Sequence, residues 1–432
     1  MNNNFSKLVY PICFLILFLS VSPNATAQNK KIAIFGSSVA KGSGDTTTVG
    51  GYSGFIKLLL EKRGWTVVNV SKGGDNTVKI MPRYKSELLP AKAKYVILGL
   101  SLGNEGIHSN SEITRNRIFE RYRSGMLRLI QMCREDGMIP IVTNCYARGD
   151  FEPVHYEATK KMNLIINTWD VPSMNALGTI DNGKGNWLDG FVHDSSHPNV
   201  KGHKEIFYAF VPSVFDAMEA GKKQPYKIRS SHYLHLENEI SNQPLTYSPE
   251  DTIHSFAVSL LIKAPANGTF AAIEGTGNAG GLSFNNNKIQ YRASNGKVLS
   301  GDTAQSNKGW IYVLISHQWA SGNTSLYVNG QYSGMTNEKL DFNKFILGGN
   351  GGAPNLLGSI RNGNFKDLLI FRSALNIDEA KALFYDQLLQ SSLEIYAPLD
   401  DATYQSGSPT HNYAQSLSKL LINSKLLTSK EE

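Results

Sequence analysis

Asp194 precedes His197 by three residues, and Pro198 fixes the turn behind them. A carboxylate at that spacing can accept the imidazole Nδ1 proton and leave Nε2 facing a nucleophile. A serine needs such a base, because its hydroxyl is not nucleophilic at neutral pH. Ser38 offers that hydroxyl. The apolar run Lys31–Phe35 ends in Gly36-Ser37-Ser38, where a strand turns into a glycine-flanked loop. Two later runs end in Asn69-Val70-Ser71-Lys72-Gly73-Gly74 and in Gly103-Asn104-Glu105, which place backbone N–H and amide donors on the same rim. The chemistry open to this set is acyl transfer through a serine. His193 competes with His197 as a base, although an exposed loop histidine is its plainer reading.

These residues need a frame. From Lys30 to about Gly221, the apolar runs Lys31–Phe35, Thr66–Val70, Lys94–Leu100, Met138–Asn144 and Ala176–Ile180 alternate with helical patterns over Tyr52–Arg63, Glu112–Cys133, Pro153–Thr168 and Val200–Ala220. Near-continuous apolar strands separated by helices predict a parallel sheet covered on both faces. Ligands of such sheets bind beyond the carboxyl ends of the strands, where Ser38, Gly74 and Asn104 fall. Arg117, Arg121 and Arg128 read as a solvated helix face. Asn144, Tyr146 and Arg148 follow the fourth run and are candidate substrate contacts. Trp187 is another, for which buried core is the plainer reading.

With these blocks in this order, residues 30–220 resemble the SGNH (GDSL-like) hydrolase superfamily. The resemblance implies a flavodoxin-like three-layer α/β/α fold. It makes Ser38 the nucleophile, Asp194 and His197 its carboxylate and base, and the N–H groups of Ser38 and Gly74 with the Asn104 amide an oxyanion hole. The family's Gly-Asp-Ser is here Gly36-Ser37-Ser38, and its Asn-Asp is Asn104-Glu105; neither change removes a member of the catalytic set. No cofactor is implied, and the scattered histidines show no metal-ligand spacing.

Residues 222–232, polar and basic with a Pro, read as a linker. Beyond them come short strands with Gly/Asn-rich turns: Ser255–Lys263, Thr269–Glu274, Lys288–Arg292, Trp310–His317, Thr324–Val328, Lys344–Leu347, Asp367–Phe371 and Leu393–Ala397. This spacing predicts an all-β antiparallel sandwich over residues 233–400 with one helix, Ile377–Gln387. The hairpin at Asn329-Gly330 and the strand running into Ser373-Ala374-Leu375 are similar to laminin-G-like, concanavalin A-like jelly rolls. Leu393–Asp400 is expected beside the first strand of the sandwich. Residues 401–432 are expected as a loosely packed tail. Trp319 and the Gly348–Gly352 loop are candidate ligand or calcium contacts, with a packed aromatic and plain turns as the simpler readings.

Residues 1–27 resemble a signal peptide, with Lys7, an apolar run from Leu8 to Val21 and the small-x-small site Ala25-Thr26-Ala27. They predict a secreted or periplasmic protein with no membrane attachment after cleavage. Cys133 and Cys145 stand at opposite ends of a helix–strand unit, too far apart for a bridge, and are expected as free thiols. Residues 28–222 carry 25 basic and 19 acidic side chains, and residues 223–432 carry 17 of each. That surplus is too small to point to nucleic acid and leaves room for an acidic polysaccharide. The sequence therefore predicts a serine esterase acting on acyl, foremost acetyl, esters of a polysaccharide or oligosaccharide, with the sandwich as a glycan-targeting module. The alternatives are a lipid or lysophospholipid esterase, and a non-catalytic glycan-binding protein.

Overall fold

In Lys31–Gly36 (β1), Ile32 and Ile34 point to one side and Ala33 and Phe35 to the other, and all four are buried. The two sets join different cores, so the strand is covered by helices on both faces. The computed structural model describes residues 29–236, 243–263, 266–304, 309–401, 405–423 and 427–431, so the signal-like segment 1–27 lies outside the described residues. Beside β1 run Thr66–Asn69 (β2), Tyr95–Gly99 (β3), Ile139–Thr143 (β4) and Ser173–Met174 (β5), all parallel, in the order β2-β1-β3-β4-β5. That is the flavodoxin-like order of an α/β fold.

Two details differ from the sequence reading. The fifth strand is Ser173–Met174, and Leu177–Ile180 is a helical turn rather than a strand. The long last helix divides into Val200–Tyr208 and Val214–Glu219, with Pro212 between them, because proline lacks the N–H to continue the ladder.

From His232 onward two antiparallel sheets face each other across one apolar core that includes Val258, Leu260, Ile262, Phe270, Val313 and Phe365. Side chains of the opposite parity, among them Ala257, Leu314, Leu369 and Phe371, face outward under helix Ile377–Phe384, with Leu164 from the α/β region packed against them. His232–Leu236 lies between Gly363–Phe371 and Leu427–Glu431, and Leu393–Ala397 is not beside it but pairs with Gly363–Phe371. The expected loose tail is also incorrect: Leu421–Ile422 pairs with Leu245–Tyr247, and Ala414, Leu420 and Ile422 are buried.

Nor do residues 222–232 form a free tether. The Lys222 ammonium donates to the Ser416 carbonyl at 2.6 Å, Lys227 pairs with Asp367, and the Ile228 N–H donates to the Tyr396 hydroxyl. The sandwich is seated directly on the α/β region. Ser392 donates its N–H to the Ser173 carbonyl, and the Gln390 and Ser391 N–H groups both donate to the Asn167 side chain. Fully buried Arg372 donates to the Tyr208 and Thr252 carbonyls and pairs with Asp251. Buried polar groups bonded in this way fix one docking geometry.

Candidate active site

The register that aligns Gly36 with Gly99 brings the ends of β1 and β3 to one rim. Both positions need glycine for close approach. A Cβ on Gly36 would lie 2.3 Å from the Gly99 carbonyl oxygen, and one on Gly99 would lie 2.7 Å from Ala40 Cβ. The helical turn Ser38–Lys41 can therefore settle onto the sheet, held by the Ser37 N–H on the Gly99 carbonyl and by Ser53 and Asn69 on the Ala40 carbonyl. Ser38 is half-buried at the start of this turn. Ser37, where the family has an aspartate, is buried and makes no side-chain cap.

The donor loop after β2 lies alongside, because the Lys72 N–H donates to the Gly36 carbonyl. Gly73 faces Ser38, and Gly74 is exposed with φ +79°. The Asn104 Nδ2 donates to the Asp75 carbonyl at 3.0 Å while its Oδ1 accepts from Arg148 at 3.3 Å. A carbonyl can only accept and a guanidinium can only donate, so the amide orientation is fixed and one Nδ2 hydrogen stays available. Two ion pairs, each on a buried carboxylate, stiffen this arrangement. Arg83 binds the Asp75 carboxylate. The Glu105 carboxylate, fully buried, accepts from the Thr77 N–H and hydroxyl and from Arg121 at 2.7 Å. Arg121 is exposed, as are Arg117 and Arg128 on the expected solvated face, and it also clamps Glu105.

Asp194 and His197 lie on the small hairpin Val192–Asp194 and His197–Pro198. Both carboxylate oxygens stand 2.9 Å from Nδ1, and Oδ1 also accepts the N–H groups of Ser196 and His197. Partial burial would raise the Asp194 pKa, but these bonds outweigh it and hold the carboxyl below its usual range. The hairpin packs beside the Ser38–Lys41 turn, with Cα atoms of the two within 8 Å. A Cβ on Gly44 would lie 2.9 Å from His197 Cβ, so the loop after Ser38 closes directly onto the hairpin. His193 is exposed on the same hairpin, while the Asp194 carboxylate is bound to His197.

Three of the candidate substrate contacts are corrected. Asn144 is fully buried, with its amide bonded to Ser391 at the seam between the regions. Tyr146 is 3% exposed and lies with its hydroxyl beside Ser37 and Ser101. Trp187 is 5% exposed and stacks on Tyr146 at 5.7 Å. None presents a surface to a substrate. Arg148 is at the rim, but its guanidinium is committed to Asn104, to Ser196 at 2.7 Å and to Asp150 at 2.8 Å, so it ties the donor loop to the hairpin. Cys133 and Cys145 are free and buried, and burial pushes their thiols up to about 12 and about 11.

Residues 34–205, which contain the whole of this rim, match the family model of the GDSL-like lipase/acylhydrolases. This stretch is a GDSL-like acylhydrolase domain. Membership makes the domain a hydrolase of the esterase kind, and the antiparallel sandwich follows it in the chain. Similar solved structures are distant. One, provisionally described as a carbohydrate-binding protein of Bacteroides ovatus, is 18% identical with a TM-score of 0.36; the match covers 48% of this chain and 61% of that one. A catalytic mutant of an acetylxylan esterase from Geobacillus stearothermophilus is 14% identical over 41% of this chain and 90% of that one, TM-score 0.33. A pentraxin of Limulus polyphemus is 13% identical over 36% and 84%, TM-score 0.29. No curated protein matches the chain.

Proposed function

We propose that this protein is a secreted serine esterase that removes short acyl groups, acetyl foremost, from a complex carbohydrate. The observation that carries the reading is the Asp194–His197 pair, both oxygens at 2.9 Å from Nδ1, on a hairpin packed against the turn that bears Ser38. In this mechanism His197 takes the Ser38 proton as Ser38 attacks the ester carbonyl. The N–H groups of Ser38 and Gly74 and the free hydrogen on Asn104 Nδ2 stabilise the oxyanion. His197 then protonates the leaving sugar hydroxyl, and water, activated by the same imidazole, releases the acid.

The surroundings favour a short acyl group on a polar scaffold. Gly73 faces Ser38, and the rim residues Asn104 and Ser196 are joined through the Arg148 guanidinium, which lines that rim with polar groups. The Ser38→Ala protein is expected to keep its melting temperature and lose at least about a thousandfold in kcat on p-nitrophenyl acetate and on acetylated oligosaccharides. Full activity in that variant would remove Ser38 from the mechanism.

A further inference from the structure

Beside the catalytic hairpin, the acylhydrolase domain and the sandwich enclose a cleft of about 620 Å³. Phe191, which leads into the hairpin, forms part of its wall, and Lys201 and Lys204 enter it from helix Val200–Tyr208, which begins directly after His197-Pro198. The sandwich contributes Trp319 and, from beyond strand Gln331–Asn337, Lys339.

We propose that this cleft binds an acidic glycan chain and is the carbohydrate subsite of the esterase, an inference that rests on the function proposed above. Charge gives the ligand its sign. Lys201, Lys204 and Lys339 are exposed, and none has a carboxylate partner among the described residues. The two carboxylates in the wall are already occupied. Glu205 binds His254 Nδ1 at 3.0 Å, and Glu338 accepts from Tyr291, Thr324 and the Ser294 N–H, each at 2.6 Å. These bonds leave both carboxylates charged, so three ammonium groups against two carboxylates give the lining a net charge of +1, with the cations exposed and both acids buried.

Shape and stacking make the ligand a sugar. Trp319 is half-buried and its ring stacks on His254 at 4.1 Å, with Tyr208 at 4.0 Å on from His254. The indole N–H is turned to Asp341 and the backbone N–H to Ser255, which holds the ring in place. A fixed aromatic wall with cations around it suits pyranose faces carrying carboxylates, as in a uronate chain. Because the wall is shared between the two regions, the seam hydrogen bonds that dock the sandwich also preserve the cleft.

The test uses the full mature chain as Ser38→Ala, so that no turnover intervenes, with an oligogalacturonate as acidic probe and a xylo-oligosaccharide of equal length as neutral probe. The oligogalacturonate is expected to bind by calorimetry, at least tenfold tighter than the neutral chain, and to weaken about tenfold between about 20 and 300 mM salt. Lys201→Gln/Lys204→Gln, both at exposed positions, should cost about tenfold in affinity at low salt and flatten the salt response. Trp319→Ala should weaken binding at every salt concentration. Equal affinity for the two probes, or a double lysine variant that binds as tightly as its parent, would overturn the proposal. Hydrolysis of p-nitrophenyl acetate by the wild-type chain, measured in parallel, tests the esterase reading separately. Activity without acidic-glycan binding sinks the cleft alone.

Discussion

Asn104 can serve an oxyanion only if its amide is held still, and the side chain that holds it is Arg148. The guanidinium fixes Asn104 Oδ1 at 3.3 Å and reaches Ser196 in the Asp–His hairpin, so one residue sets the spacing between the donor side and the base side. The sequence placed Arg148 on the right rim but suggested that it touches substrate. Kinetics separate the two roles. If Arg148 positions, Arg148→Ala should lower kcat about ten- to a hundredfold on p-nitrophenyl acetate with KM nearly unchanged, since displacements near 1 Å have that effect. A raised KM with kcat intact would restore the contact reading. Asn104→Ala should cost about 10²–10³ in kcat, the usual loss for one oxyanion donor. Ser38 was legible because it follows an apolar strand, and Asp194 and His197 because they stand three residues apart just ahead of Pro198. Arg83, Glu105 and Arg121 were not, because their ion pairs join elements whose neighbourhood only the folded sheet creates.

Among the elements, those read correctly carry strong local signals. The strands Lys31–Gly36 and Tyr95–Gly99 are apolar on both faces, and helix Glu112–Glu135 repeats its buried positions at helical spacing. The missed elements lack such signals. Ala279–Asn285 contains two glycines and no β-branched residue, and Gln331–Asn337 is almost wholly polar, so neither shows alternation until its neighbours pair with it. The glycines at the ends of β1 and β3 are a different case, visible in the sequence but silent about their purpose. They let the Ser38 turn sit on the sheet, which makes a direct prediction. Gly99→Ala would put a methyl group 2.7 Å from Ala40 Cβ and 2.8 Å from the Tyr52 hydroxyl. Overpacking of this kind costs about 1–3 kcal/mol, and relief requires the turn to lift. Chemical denaturation should show that loss, and kcat should fall further than the stability change explains. An unchanged kcat would mean that the turn absorbs the methyl group without moving Ser38.

At the scale of the whole molecule, the seam between the two regions contains acids that do not titrate where exposed acids do. Glu379, at the third position of helix Ile377–Phe384, closes a capping box with Asn376 and accepts from Asn175 of the acylhydrolase domain at 3.0 Å. Burial pushes its carboxyl up to about 7, and the nearby carboxylates of Asp378 and Asp181 act in the same direction. Asp378 is itself ion-paired to Lys160, and Asp181, also buried, is pushed up to about 6 despite its bond to Tyr156. An acid whose folded pKa lies above its unfolded value binds more protons folded than unfolded between the two. Its contribution to stability is therefore lost as pH rises from about 4.5 to about 7, and docking should loosen on the alkaline side. Glu379→Gln keeps an acceptor for Asn175 and removes the charge. The variant should melt close to wild type at pH 5 and above it at pH 8, by a margin on the order of 3 kcal/mol at most. Thermal melts of both proteins across that range check the sign, and a difference that stays constant with pH would mean that Glu379 ionises normally within the seam.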